Sequence, residues 1–357
     1  MKICGNCGTN MEPDQKFCDK CGHRYVEPHP PSARTGKKRG KVLPRIMIIA
    51  IVLAVTGGIV IIQLHRASVM TMNLGRQKTM YLAREYAREW DGKINGYIQV
   101  LQTLSNMMNF YESIAPDMRR QTYENMLRSV FEDMSDFVQM FTVWKPNAID
   151  GMDTRYTGRV GSTPTGQFAF ALTRETGEIK PMTSQVVDEV MQHITGPDGR
   201  TVGISDPSPF KIMGKDTLTV RIVIPIINKR TNEIVGDIGC QLDIGMIQSM
   251  AEQTIKDLDE VSGMAIYTNS GFILANYLPE KIGKQLSDVE TQYGSYLNEV
   301  KQAISNAQEW EGTVYDPVLK TNMVMAIANI PIRVSPTTWS VMIGTSESYI
   351  MKDAKFW

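Results

Sequence analysis

Four of the five cysteines in this 357-residue chain lie within its first two dozen residues, at a spacing that suits metal binding. They form two Cys-x-x-Cys pairs separated by ten residues, at Cys4, Cys7, Cys18 and Cys21. Two thiolates separated by two residues on a tight turn can bind one metal ion, and two such turns supply the four ligands of a tetrahedral site. Gly8 and Gly22 follow the pairs, where a positive φ lets backbone amides point at the sulfurs. The spacing predicts a structural Zn²⁺ site.

Residues 1–25 therefore read as a zinc ribbon, although the spacing alone leaves alternatives open. Two disulfides, an iron ion in a rubredoxin-like site, or thiols without a ligand would use the same four residues. Disulfides persist only in oxidising compartments, so the side of the membrane on which the cysteines lie matters. A unit of this size buries little apolar surface, so we expect metal binding to supply most of its folding free energy.

An apolar stretch at residues 46–64, IMIIAIVLAVTGGIVIIQL, contains nineteen residues without a charge. At about 1.5 Å per helical residue it spans about 28 Å, close to one bilayer core. Six Lys and Arg residues fall in the twelve positions before it and two in the twelve after it, and positive flanks stay in the cytoplasm. We predict a single-pass membrane helix with a cytoplasmic N-terminus. The cysteines would then face a reducing compartment, which favours zinc over disulfides.

The residues before this stretch argue against a cleaved signal peptide, which has a short charged leader and a small-residue cleavage site. Here 45 residues come first, so we expect an uncleaved anchor. Residues 26–45 are rich in proline, small polar and basic residues, which predicts a linker whose basic run sets the topology and touches anionic headgroups.

The body of the chain, residues 65–357, combines helical and strand patterns. An apolar stripe at helical spacing predicts one long helix, through Leu82, Tyr86, Trp90, Ile94, Tyr97, Leu101, Leu104 and Met108. We expect this helix either to pack only on its own domain or also to contact the same helix of a second chain in a homodimer. A second amphipathic stretch precedes residue 137; short β-type runs follow, then a helix near 246–258 and a second β series. The fold class is α+β, with two modules in tandem.

This order of segments resembles the double Cache sensor domains of bacterial chemoreceptors and sensor kinases. The resemblance covers about residues 66–350 and rests on VWKPNAIDGMDTRYTG, DTLTVRIVIPI, EIVGDIGCQLDI, IYTNSGFILANYLPEKIGKQL and TTWSVMIGTSESYI. It implies a long N-terminal helix carrying two PAS-like antiparallel-sheet modules, a membrane-distal one at about 105–245 and a proximal one at about 250–350. It also implies signal transduction, as in chemotaxis, from the bacterial inner (cytoplasmic) membrane, with residues 65–357 extracytoplasmic.

The same resemblance implies that the distal module holds a small ligand. Carried over position by position, it indicates the ligand-binding residues Trp144, Asp153, Tyr156, Phe170, Arg174, Asp206, Phe210 and Gln241. Aromatic and acidic groups suit an organic cation or amine, and an arginine suits a carboxylate.

Two departures from the family pattern bear on the ligand. The stretch TVWKPN lacks the arginine and tyrosine that grip an amino acid's carboxylate in related domains, and Gln241 stands where those domains have an aspartate for the α-amino group. We therefore expect some other small polar metabolite. The chain also lacks a second apolar stretch after residue 344. We expect either that the ribbon is the cytoplasmic output or that the chain is a truncated receptor.

Other function classes fit the sequence less well. The 38 basic residues balance 38 acidic ones, so we expect no nucleic-acid binding. HExxH, Gly-x-Ser-x-Gly, P-loop and dinucleotide-binding motifs are absent from the sequence, and we expect no enzymatic activity. The alternative to a sensor is an interaction protein, in which the ribbon docks a cytoplasmic protein partner and the outer domain is a scaffold or receptor remnant that binds no ligand.

Overall fold

A computed structural model describes residues 1–27, 42–175, 177–184, 199–212 and 215–352. The chain divides into two compact units, Met1–Ile62 and Gln63–Trp357. The first contains the cysteine cluster and all but the last two residues of the apolar stretch. The second contains both sheets that the β-type runs predict, and is the unit that positions the candidate ligand site.

The cysteine-rich segment folds around a small hairpin in which β1 (Lys2–Ile3) pairs antiparallel with β2 (Asn10–Met11). Its buried residues are Cys4, Met11 and Cys18, with Tyr25 packed against them. So small a core fits the expectation that a bound metal supplies the missing stability.

A single helix, α1 (Val42–Met108), contains both the apolar stretch and the predicted stripe. One of its 18-residue windows has a mean hydropathy of 2.7 and no buried residue, so it is long and apolar enough to cross a membrane. This fits a single-pass membrane protein. The stripe from Leu82 to Met108 is confirmed: seven of its eight side chains are buried and Tyr86 is partly buried.

The first module is built on α2 (Arg119–Asp133) and an antiparallel seven-stranded sheet. The strands follow the order β5-β4-β3-β9-β8-β6, and β7 also pairs with β8. Their bounds are β3 (Phe137–Trp144), β4 (Ala169–Glu175), β5 (Glu178–Thr183), β6 (Gly203–Ile204), β7 (Ser208–Ile212), β8 (Lys215–Ile227) and β9 (Ile234–Asp243).

The second module begins with a helix that Asp243 caps by accepting a hydrogen bond from the Gly245 amide, 2.8 Å away. Its five strands are antiparallel and follow the order β11-β10-β14-β13-β12. The elements are α3 (Ile244–Asp257), β10 (Gly263–Thr268), β11 (Ile273–Asn276), α4 (Leu286–Val289), α5 (Leu297–Ser305), β12 (Trp310–Asp316), β13 (Thr321–Ile330), β14 (Trp339–Ser346) and α6 (Glu347–Ile350).

One hydrophobic core joins α1, α2 and α3 to one face of each sheet. Because side chains alternate along a strand, the other face of each sheet has its own lining. Polar anchors fix α1 to β8: Ser105 Oγ donates to the Pro225 carbonyl at 2.8 Å, and Asn109 Oδ1 accepts from the Ile227 amide at 3.0 Å. The predicted α+β class with a long N-terminal helix and antiparallel sheets is confirmed. We call the sheet faces turned away from this core the outer faces.

Candidate functional site

The four N-terminal thiols lie together, with all four sulfur atoms within 4.8 Å of one another. Cys4 Sγ is 3.6 Å from Cys21 Sγ, and Cys7 Sγ is 3.6 Å from Cys18 Sγ. A zinc tetrahedron with bonds of about 2.3 Å requires sulfurs about 3.8 Å apart. The donor set and its spacing are therefore compatible with one tetrahedral metal ion.

The two Cys-x-x-Cys turns are built alike. The amide of Gly8 bonds to the Cys4 carbonyl at 3.0 Å, the amide of Gly22 bonds to the Cys18 carbonyl at 2.7 Å, and both glycines have positive φ, 71° and 69°. The hydroxyl and the amide of Thr9 lower the pKa of Cys7 to about 6, which favours the thiolate form that metals bind. All four cysteines are free thiols.

The aromatic and basic residues indicated by the resemblance have partners on the α1 side of the first sheet. Trp144 is fully buried between Tyr111, whose ring lies edge-on at 5.0 Å, and Tyr123, stacked at 5.8 Å. Phe170 stacks on Phe168 in the same core. The Arg174 guanidinium donates to backbone carbonyls at and beyond the end of α2, which include those of Phe131, Met134 and Phe137.

Asp153 and Tyr156 belong to a buried ionic cluster around Arg120, a residue that the sequence pattern did not single out. Arg120 Nε lies 2.7 Å from Asp150 Oδ2, and its Nη2 lies 2.6 Å from Asp153 Oδ1. The guanidinium also sits 3.9 Å from the Tyr156 ring centroid. Gly166 closes the cluster, because a Cβ there would lie 1.8 Å from the Asp153 carbonyl oxygen.

Phe210 lies on β7, and Asp206 lies two residues before this strand. Asp206 accepts a hydrogen bond from Ser270 in the β10–β11 turn, so it links the two modules. Phe210 is buried within β7. The structure brings Asp153 and Tyr156 together, but it does not gather the eight residues around one space.

A row of polar side chains crosses five strands on the outer face of the first sheet. Register pairs its members from strand to strand; from β8 to β5 they are Arg221, Gln241, Gln139, Thr173 and Lys180. Gln241 Nε2 donates to Gln139 Oε1 at 3.2 Å, and Thr219 Oγ1 donates to Gln241 Oε1 at 3.0 Å. Both glutamines are fully buried. We call these five residues the polar row.

An apolar row lies beside it on the same face. Phe141, Val143, Ala169, Ala171 and Val223 form a small cluster of their own, separate from the α1 core. Gly239 stands among them, and a Cβ there would lie 2.4 Å from the Ile222 carbonyl oxygen and 2.5 Å from the Phe141 ring. The outer face thus presents hydrogen-bonding groups next to an apolar surface, which is the usual lining of a small-molecule site.

The outer face of the second sheet is different. Tyr267, Tyr293, Met323, Met325 and Met342 pack together there. Behind them lies Glu290, a fully buried carboxylate. It accepts hydrogen bonds from Asn276 Nδ2 at 2.6 Å, Tyr267 Oη at 3.2 Å and Gln292 Nε2, and pairs with Lys281 Nζ at 2.8 Å.

Strand alternation was the available signal for the residues that sequence reasoning missed. In DTLTVRIVIPI, Thr219 and Arg221 alternate with Val220 and Ile222, which places the first pair on the face opposite the core. The pairing of β8 with β9 and of β9 with β3 could not be obtained this way, because it joins residues about 20 and 100 positions apart. Gln241 was indicated; Gln139 and Arg221 were not.

Comparisons with known proteins identify the fold. No protein-family model matches the chain, and no curated protein matches it. The extracellular domain of mmHK1S-Z3, named as a histidine kinase, matches with a TM-score of 0.66 and 18% identity over 79% of this chain and 98% of that one. The periplasmic sensory domain of the Campylobacter jejuni chemoreceptor Tlp1 gives 0.60 and 19% over 79% and 98%.

A third structure was solved with a ligand. The ligand-binding domain of the Pseudomonas fluorescens chemoreceptor CtaA, in complex with L-isoleucine, matches with a TM-score of 0.50 and 11% identity over 79% of this chain and 96% of that one. Identities this low establish the fold alone. The chain has the Cache-like fold of the extracellular sensor domains of chemoreceptors and histidine kinases.

Proposed function

We propose that this chain is a membrane-anchored sensor that binds a small polar metabolite on the outer face of its first module. Sensory domains, rather than enzymes, share its fold, and one of them holds a small ligand. We infer the position of the site from the polar row, because buried amides beside an apolar surface can orient a small molecule.

This proposal gives Gln241 a direct role in ligand binding. Of the eight residues indicated by the resemblance, Gln241 is the one that belongs to the polar row. Trp144, Arg174 and Asp153 already have partners within the described chain, and their contact with a ligand stays a prediction, as it does for Tyr156, Phe170, Asp206 and Phe210.

The remaining parts of the proposal concern the membrane and the ribbon. We place the apolar part of α1 across the bacterial inner membrane, with residues 65–357 outside and the cysteine cluster in the cytoplasm. Zn²⁺ bound by the four thiolates would hold the ribbon folded. A homodimer formed through α1 and a cytoplasmic protein that binds the ribbon would transmit the signal.

The test of the sensor is thermal melting of the full chain in lipid nanodiscs against a library of small metabolites. A ligand at 100 times its dissociation constant adds about 2.7 kcal/mol to the free energy of unfolding, which shifts the melting temperature by several degrees. A cooperative transition that no compound shifts would favour the alternative function, in which the outer domain is a scaffold that binds no ligand. The intramolecular partners of Trp144, Asp153 and Arg174 agree with that alternative.

The zinc site has a separate test in the full chain. A chelator should make four thiols reactive at once and release one metal ion per chain, whereas Cys240 stays unreactive because it is fully buried and burial raises the pKa of its thiol. Release of iron, or thiols that react fully before chelation, would contradict zinc.

A further inference from the structure

We propose that the ligand of the first module is a small anion, a carboxylate or similar oxyanion without an ammonium group, and that Arg221 binds its negative charge. This inference rests on the proposed function, because it names the ligand class of the same outer face. Three observations lead to it: a cation without a partner among the described residues, neutral side chains next to it in the polar row, and an adjoining apolar surface.

Arg221 lies in the middle of β8, and its side chain projects from the outer face because Val220 and Ile222 enter the α1 core. Its backbone amide and carbonyl are both bonded to Ser205. Its Nε is buried and has no hydrogen-bond partner. No side chain in the described part of the chain forms an ion pair or hydrogen bond with the guanidinium.

The Arg221 side chain is partly buried, so its guanidinium loses part of its hydration while no counter-charge in the described part of the chain replaces it. Burial accordingly lowers the pKa of Arg221. Arg120, a buried arginine of the same module, shows the usual arrangement, with two aspartates against it. A bound anion would give Arg221 the partner that the chain itself provides for Arg120.

The side chains that the register places nearest to Arg221 in the polar row are neutral. Gln241 pairs directly across from it, and Thr219 and Gln139 follow. Of the acidic side chains on β9, Asp243 accepts from the Gly245 amide and Asp237 has an interaction partner. An α-amino acid would therefore find Arg221 for its carboxylate, whereas its ammonium would face neutral side chains that already bond to one another.

Gln139 adds a donor that is poorly used. Its side-chain amide is fully buried and donates to the thioether of Met182 at 3.4 Å, a weak acceptor. A hydroxyl or carbonyl oxygen of a ligand would be a better partner for this amide. Beyond it, Phe141 and Ala171 would contact an apolar portion of the ligand. A short 2-hydroxy or 2-oxo acid has these groups in this order.

The experiment compares matched pairs of probes with the full chain in nanodiscs by calorimetric titration. The pairs are L-lactate with L-alanine, L-malate with L-aspartate, and 2-hydroxyisovalerate with L-valine, each differing by a hydroxyl in place of the ammonium. We expect at least one hydroxy acid to bind at least tenfold more tightly than its amino acid. Arg221→Gln should weaken that binding at least 100-fold, Arg221→Lys less, and the exposed Arg155→Gln not at all.

A second variant guards against loss of folding. Gln241→Glu is nearly isosteric and places a carboxylate directly across from Arg221. This carboxylate should form an ion pair with the Arg221 guanidinium and abolish binding of the acid, while the protein still melts cooperatively. Binding that survives both Arg221→Gln and Gln241→Glu overturns the inference.

The two proposals fail in different ways. If none of the acids binds but an amine or a neutral metabolite from the library shifts the melting temperature, the sensor stands and the anion assignment is wrong. If neither the acids nor the library binds to a cooperatively folded protein, the sensor itself is wrong and the anion assignment falls with it.

Discussion

The two modules share one strand order but differ on their outer faces. In the first, β4-β3-β9-β8 followed by β6 repeats the order that β11-β10-β14-β13-β12 forms in the second. The first face carries two buried glutamines and an arginine whose Nε has no partner among the described residues. The second carries tyrosines and methionines and a carboxylate, Glu290, bonded to four side chains. Within the described residues, the same fold thus gives the carboxylate of Glu290 its partners and gives the Arg221 guanidinium none.

This difference explains why we assign the ligand to the first module. A buried charge is tolerated when the protein or a ligand neutralises it. In the second module Lys281 and three hydrogen-bond donors already perform this task for Glu290, so that carboxylate needs no further partner. In the first module the corresponding partner of Arg221 is missing from the described chain. Ligand binding is the simplest way to supply it.

The largest effect that tests the comparison is expected from Glu290→Ala. It leaves the Lys281 ammonium, which is mostly buried, without its counter-charge, and breaking such a pair costs about 3–5 kcal/mol. Denaturant unfolding of the full chain should show this loss, while the exposed Glu280→Ala stays within about 0.5 kcal/mol of the unchanged protein. A small change in the free energy of unfolding would mean that the contacts of Glu290 do not stabilise the second module.

Arg120→Gln should rank second. The substitution leaves Asp150 and Asp153 buried against each other without a cation, and we expect a loss of about 3 kcal/mol. Arg155→Gln, at an exposed position on the same module, is the matched control. The loss in the free energy of unfolding should be equal with and without ligand, because the cluster is structural. If the variant changes only the affinity for ligand, Asp153 instead takes part in ligand binding.

Alkaline pH should affect the second module through its buried tyrosines, of which Tyr267 contacts Glu290. Burial, followed by the nearby Glu290, raises the pKa of Tyr267 well above its ordinary value of 10.0. The stability that neutral Tyr267 contributes is complete below pH 10 and is lost as the pH rises above it, by about 1.4 kcal/mol per pH unit. Tyr267→Phe should reduce the slope of unfolding free energy against pH between 10 and 11. An unchanged slope would place the titration elsewhere.

The smallest effect on stability is expected from Arg221→Gln without ligand. Because the described part of the chain gives this guanidinium no partner to lose, the free energy of unfolding should change by less than about 1 kcal/mol. Equilibrium unfolding of the ligand-free protein measures it directly against Arg120→Gln. A loss as large as that of Arg120→Gln would show that Arg221 is structurally paired, and would remove the contrast between the two modules.

Much of the architecture could be predicted from local pattern. The α1 stripe, the α+β class and the helix at Ile244–Asp257 follow from periodicity, which depends only on which residues are apolar. The proximity of the four thiols follows from two short turns. The partners of Arg120 could not be found this way, because Asp150 and Asp153 lie about 30 residues away and reach it only when the loop after β3 folds back on α2.

The cysteine cluster, the apolar stretch of α1 and the alternation of β8 can therefore be read from local sequence, since each depends on residues within a few turns or strand positions. The folded chain is needed to show that Trp144 lies in the core, that Asp153 pairs with Arg120, and that Arg221, Gln241 and Gln139 form one row. Strand register sets these relationships. Register depends on burying one face of the whole sheet against α1, so no single segment specifies it.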